Sequence, residues 1–321
     1  MEMRLLEYAI EVYRKKSFTK AAQTLCIAQP SLSQQISKLE RSLGVTLFYR
    51  GHGGVEVTPD GLRFIEQAEQ IVRMRDDLIR EMNERREGIG RELVIGITAI
   101  TGGHVLPPLL KAYKEQYPQV QVRLVEESTA TLEELTAKGL ADVSILSLPL
   151  DDSRLATRVM LTEPIFVAVP RVKKDWMPTE VQRRIEFAIL ETDEEPISHI
   201  ISLADLSNAP FILLKQGFGF RRTILELCAK HGFQPHIAYE TSSIETAQSL
   251  VTYGLGVTLV PDMVRRHVHP HPLYLSLDSK PSRTLVFAYR AERYLSLAAR
   301  ALLDIYEKLS SGEIPVDLGT G

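Results

Sequence analysis

Apolar positions recur at helical spacing through residues 3–43 and then give way to a short alternating stretch. Leu5, Leu6, Ala9, Ile10, Val12 and Tyr13 mark a first amphipathic helix. Ser17 or Thr19 can cap a second, short helix over residues 20–25. Gln29-Pro30-Ser31 opens a third, with proline suited to a first turn, and Gly44 closes it. Within it Leu32, Ile36, Leu39 and Leu43 step by four, three and four, a core-facing row. Ser31, Ser33, Gln34, Gln35, Ser37 and Lys38 fall largely outside that row. Residues 45–50 and 55–57 read as two short strands joined by the turn Gly51-His52-Gly53-Gly54.

The pattern then lengthens. Thr58-Pro59 reads as an N-cap and first residue of one long helix over 59–90, ended by Gly88 and Gly90. Leu62, Ile65, Ala68, Val72, Ile79 and Met82 form its apolar stripe, interrupted by Arg75. About 30 residues span roughly 45 Å. Such a stripe needs a partner, either a copy of the same helix or the helix's own domain. From residue 91 strand and helix patterns alternate: RELVIGIT, LPPLLKAYKEQYP, VQVRLVEE, ATLEELTAKGL, DVSILSL. FILLK, a helix around 221–230, HIAYET, SIETAQSLVTYG and GVTLVP repeat the scheme, and LYLSLD, RTLVFAYR and a helix over 295–309 end it. This alternation predicts parallel sheets with crossover helices, in two units.

Composition narrows the class. Of 321 residues 44% are apolar and 25% charged, which fits globular domains. No apolar run reaches the roughly 20 residues of a membrane helix. The N-terminus lacks the apolar core of a secretion signal, so the chain reads as cytoplasmic. Cys26 and Cys228 make no disulfide scaffold and no zinc spacing.

Net charge is −3, but residues 1–58 hold eight basic against five acidic side chains, which leaves −6 for the rest. A basic head suggests a polyanionic partner. The Ser/Gln face of the third helix adds chemistry, because Gln bonds adenine edges bidentately and Ser bonds bases or phosphates. Such a helix fits a major groove, with the Arg50 strand pair as a wing. The same face also suits the wet surface of a small interaction domain. Gly102-Gly103 lacks the Lys and Ser/Thr of a phosphate loop, and neither GxSxG nor paired catalytic carboxylates stand out. We therefore expect no enzyme, no cofactor and no metal. His267, His269 and His271 alternate as ligands would, but Pro270 and Pro272 favour a solvated hinge. Both thiols are expected to be inert.

The stretch AAQTLCIAQPSLSQQISKLERSLGVTLFYR strongly resembles the winged helix-turn-helix of the LysR-type transcriptional regulators. Ala21, Ala22, Leu25, Gln29, Pro30, Ser31, Leu32, Ser33, Ile36, Leu39, Glu40, Leu43, Gly44, Leu47, Phe48 and Arg50 carry the likeness. Thr58 and Gly61 match the T-x-x-G that follows the wing. Leu106-Pro107, Tyr117-Pro118, Gly139 with Asp142, Gly217 with Arg221, and Gly254-Leu255-Gly256-Val257 with Pro261 extend it over nearly the whole chain.

The resemblance implies an α/β multidomain protein. Residues 1–58 would form the winged helix-turn-helix and 59–90 the linker and dimerisation helix. Residues 91–321 would form a periplasmic-binding-protein-like effector domain of two α/β subdomains. Subdomain I would take about 91–164 and 269–321, subdomain II about 165–268, with crossings near 163–165 and 267–271.

It further implies a sequence-specific DNA-binding transcriptional regulator that answers a small-molecule effector. A homodimer or homotetramer would bind double-stranded operators with pseudo-palindromic half-sites. Gln29, Pro30, Ser33 and Gln34 would face base edges, and Ser31, Lys38 and Arg50 the backbone. Effector contacts are expected from Thr98, Ile100, Thr101, Ser128, Ser147, Gly217, Phe218 and Ser242, where strand ends meet helix N-termini. Free N–H groups there favour a small organic acid. Each hydroxyl equally suits a helix cap, and Arg221, the candidate cation, equally suits a structural role in its helix. A solute-binding protein or enzyme on the same scaffold is the alternative, but it needs no Ser/Gln helix, wing or pairing helix.

Two features depart from the family. The wing lacks a second basic residue soon after Arg50, and 31 residues separate Pro170 from Ser202. That segment holds the sole Trp, Trp176, and the acidic run 191–195. It reads as an insertion, either a surface elaboration or a lid or oligomer contact.

Overall fold

The computed structural model describes residues 2–51, 54–90, 92–190, 200–265, 270–291 and 293–313. The chain divides into two units, Met1–Gly88 and Ile89–Gly321.

In the first unit α1 (Met3–Lys15), α2 (Phe18–Thr24) and α3 (Gln29–Leu43) enclose Leu6, Ala9, Ile10, Phe18, Leu32, Ile36 and Leu39. Ser17 caps α2 by accepting the Lys20 N–H. That helix stops at Thr24, so Cys26 lies beyond it, at φ 54, and is exposed. Leu43 is 38% exposed, so the inward row of α3 ends at Leu39. β1 (Phe48–Gly51) pairs antiparallel with β2 (Gly54–Val57), Arg50 opposite Val55. The first strand starts three residues later than expected. Glu40 Oε1 accepts the Leu47 and Phe48 N–H groups at 2.8 and 3.2 Å and holds the chain there. His52 and Gly53 of the expected turn lie outside the described residues.

α4 (Pro59–Glu87) begins where the Thr58 hydroxyl accepts the Gly61 N–H at 2.8 Å and donates to the Thr46 carbonyl at 2.6 Å. Gly61 has a steric reason: a Cβ there would stand 2.1 Å from the Leu47 carbonyl oxygen. Ile65 and Ala68, with Phe64 and Val72, pack inward, and Arg75 bonds Glu7 of α1. Arg75 thus belongs to the inward face and does not interrupt an outward one. Ile71, Met74, Leu78 and Met82 form a separate exposed row, about a quarter-turn round the helix. Of the single stripe read from the sequence, Ile65, Ala68 and Val72 pack inward, while Leu62, Ile79 and Met82 are exposed.

The second unit opens with parallel pairing. β3 (Glu92–Ile97) lies between β4 (Gln121–Glu126) and β5 (Val143–Ser147). The crossovers are α5 (Ala99–Gln116) and α6 (Thr129–Ala137). The 15-residue β6 (Leu155–Val169) then runs through both halves of the unit. Residues up to Pro164 pair with β12 (Ser282–Arg290); from Ile165 onward the partners are β10 (Thr258–Pro261) and β11 (Leu273–Leu277). Pro164 has no N–H to give a ladder and sits where the partners change. These pairings are antiparallel, so the sheets are mixed and not purely parallel as expected.

Two cores result. Leu93, Ile95, Tyr113, Phe287 and Leu302 belong to the first, closed by α10 (Leu297–Ser310). Phe166, Phe211, Leu213, Ile224 and Val257 belong to the second. The latter is built from α7 (Thr179–Leu190), β7 (Ile200–Ile201), β8 (Pro210–Leu214), α8 (Gly219–Lys230), β9 (His236–Thr241) and α9 (Ile244–Thr252). Leu273, Tyr274, Leu275 and Leu277 of β11 also lie in it. The chain therefore returns after β11, not near 267–271; residues 267–269 lie outside the described residues. The 171–201 segment is more than surface, since Met177, Val181 and Ile185 are buried in the second core and Trp176 packs on it. Its residues 191–199 lie outside the described residues.

The two cysteines differ in exposure, Cys26 being exposed and Cys228 buried. Cys228 is buried in α8, and burial pushes its thiol up to about 12. Ellman's reagent should therefore titrate Cys26 promptly in the native protein and Cys228 only after denaturation. Two fast thiols would contradict this packing.

Candidate nucleic-acid face and effector cleft

On α3 the buried row Leu32, Ile36, Leu39 leaves Gln29, Pro30, Ser31, Gln34 and Lys38 exposed and Ser33 half-buried. No acidic side chain occupies the first turn, so the positive end of the helix dipole is unopposed. Arg41, exposed one turn beyond Lys38 on the same outer face, was missed by the sequence reading. Its spacing from Gln34 and Lys38 was the available signal. Arg50 stands in β1, and its side chain lies outside the described residues.

In the second unit the parallel strands of both subdomains end where helices begin, the usual place for a ligand in such sheets. Thr98 is the N-cap residue of α5, buried, and its hydroxyl donates to that of the buried Thr101 at 3.3 Å. Ile100 packs into the second core although α5 belongs to the first subdomain. The Glu127 N–H donates to the Ile97 carbonyl and sets the start of α6 beside that of α5. Ser128 is spent on capping: its hydroxyl accepts the Thr131 N–H and bonds the Thr131 hydroxyl.

Gly217 (φ +89) faces Ser128, and a Cβ on it would meet that hydroxyl at 3.4 Å. The Gly217 carbonyl accepts the Ala130 N–H, and the Thr129 hydroxyl accepts the Gly219 N–H at 2.9 Å. These bonds join the two subdomains. Phe218 precedes α8, half-buried against the second core. Ser147 is buried at the end of β5 opposite Leu285. Ser242 is exposed, and its neighbour Ser243 provides the cap of α9.

Of the two roles open to Arg221, its bonds are those of the structural one. Arg221 bonds the Leu214 carbonyl and Glu240, fastening α8 to β8 and β9. A different arginine occupies the junction. Arg283 and Glu163 face each other across β12 and β6 with side chains 1% and 8% exposed, Nε to Oε1 at 2.7 Å. Burial pulls the Arg283 pKa down, while the Glu163 charge and hydrogen bond push it back up. The sequence signal was a charge beside apolar positions within each of two strands, at positions 120 residues apart. Beside α6 an open groove of about 440 Å³ is lined by Glu133, Glu134, Asp151, Asp152 and Arg154, a poor setting for an anion.

Among the described residues no group of three or more His, Cys, Asp or Glu could hold a metal ion. His267 and His269 lie outside them; His271 is buried and bonds Arg171. No helix there is long and apolar enough to cross a membrane.

The bacterial regulatory helix-turn-helix family of LysR type matches residues 3–62, and the LysR substrate binding domain matches 86–185 and 195–310. The chain belongs to the LysR family. The uncharacterized HTH-type regulator YcgK of Bacillus subtilis (strain 168) is 55% identical over 95% of this chain and 94% of its own. YwbI of the same organism, likewise an uncharacterized HTH-type regulator, is 32% identical over 95% of each. A full-length OxyR variant from Pseudomonas aeruginosa shares the fold with TM-score 0.66, 26% identity and coverage of 96% and 95%. The LysR match breaks at 186–194, inside the segment read as an insertion but narrower than it. Residues before the break are family sequence, in line with the burial of Val181 and Ile185. The chain is thus a DNA-binding transcriptional regulator with an effector-binding domain.

Proposed function

We propose that this LysR-family regulator acts in the cytoplasm as a homo-oligomer, reads a pseudo-palindromic operator through α3 and the wing, and responds to a small organic acid in the cleft. It has no catalytic role. The observation that carries the DNA half is the exposed Gln29, Gln34, Lys38 and Arg41 face on the basic head, residues 1–58. Helix N-termini and the paired hydroxyls of Thr98 and Thr101 support the acid.

Gel shifts on the DNA upstream of the chain's own gene test the first half. Gln29→Ala or Gln34→Ala should cost about 1–3 kcal/mol on that site and flatten base preference. Lys38→Ala should weaken specific and random DNA alike and lower the salt slope by about one. Equal losses on both DNAs for the two glutamines would remove them from base readout.

A further inference from the structure

We propose that Arg283 is the receptor for the effector's carboxylate, held in place by Glu163. This rests on the reading that the cleft takes a small organic acid.

The arginine stands where both subdomains meet. Its strand partner Glu163 immediately precedes Pro164, where β6 changes partners. The carbonyl of its neighbour Thr284 accepts the Leu148 N–H, which brings the end of β5 alongside. Its guanidinium carbon lies 5.5 Å from the ring centre of Phe220, in the first turn of α8.

The guanidinium is only partly used. Nε is taken by Glu163, while Nη1 and Nη2 are buried and donate to no group. Buried donors without acceptors are unfavourable, and a planar guanidinium edge matches the two oxygens of a carboxylate. Phe220 lies against the guanidinium carbon and Glu163 takes Nε, so the Nη1–Nη2 edge is what remains. The N-terminus of α8 adds partial positive charge beside it.

The same pair bears on the hinge. Glu163 Oε1 holds Arg283 of β12, and Oε2 accepts the N–H of Met263, which follows β10, at 2.8 Å. A carboxylate on Arg283 thus draws on a group that ties the two subdomain connections together. That is where a ligand can bias their arrangement.

The full-length protein is titrated with succinate and benzoate, and with the neutral succinamide and benzamide, by calorimetry and thermal melting. At least one acid should bind and stabilise the wild type, and its amide should not. E163Q/R283M, which removes both charges and keeps an acceptor for Met263, should bind that acid about ten- to a hundredfold more weakly. R283K keeps the charge without the fork and should fall between; it carries the comparison if the double variant does not fold. Equal binding by wild type and variants overturns the proposal, as does an amide that binds as well as its acid. Failure of both acids at millimolar concentration overturns it too. T101V in the same titrations separates the two readings. If it weakens the acid while the Arg283 variants do not, the cleft stands and Arg283 falls. If neither matters, the cleft falls as well.

Discussion

Glu163→Leu should destabilise the effector unit by about 3–5 kcal/mol, more than a core truncation of similar size need cost. The carboxylate and Arg283 are both buried, so its loss strands a charged guanidinium in apolar surroundings. The Met263 N–H loses its acceptor at the same time. Arg283→Met strands the carboxylate instead, at a similar cost. The double change to Leu and Met strands neither charge, so it should cost several kcal/mol less than the two single losses added together. Trp176, the only tryptophan, packs on the second core and gives a local fluorescence readout for urea titrations. Single losses that simply add, within about 0.5 kcal/mol, would refute the coupled pair.

The head was legible because its motif residues each perform a local task. Thr58 caps α4, Gly61 admits the Leu47 carbonyl, and Glu40 holds the start of the wing. These jobs act over short sequence separations, so the pattern that encodes them stays compact.

The misreadings share a different cause. Leu43 has helical spacing, but the core ends before reaching it. The expected stripe of α4 joined the packed Ile65, Ala68 and Val72 to the exposed Leu62, Ile79 and Met82, because periodicity does not show where a small domain stops covering its helix. Glu163 and Pro164 break the alternation of β6, hiding a strand that passes through both cores. The two roles of Arg221 stay equal in the sequence because its partner Glu240 comes within reach only once β9 lies beside α8. The Arg283–Glu163 pair needs strand register across 120 residues, which no local window contains. Of the cleft hydroxyls, Ser128 serves as a cap, a use the sequence leaves equal to ligand contact.

Met74→Glu with Leu78→Glu should turn the protein into a monomer and cut its affinity for a full operator about a hundredfold or more. Both side chains are more than half exposed, at 54% and 58%, and share a row with Ile71 and Met82 that the first unit leaves uncovered. Burying such a side chain contributes roughly 1.5–3 kcal/mol. In a two-fold dimer the same patch is used twice, so each substitution counts twice and brings like charges together. The recognition face on α3 is untouched, because Ile65, Ala68 and Val72 hold α4 to the head from a different side. Affinity for an isolated half-site should therefore stay within about twofold while the full site loses its linkage advantage. Sedimentation velocity reads the first effect, and fluorescence anisotropy with half and full sites reads the second. A variant that still sediments as wild type would show that the exposed row of α4 is not the pairing surface.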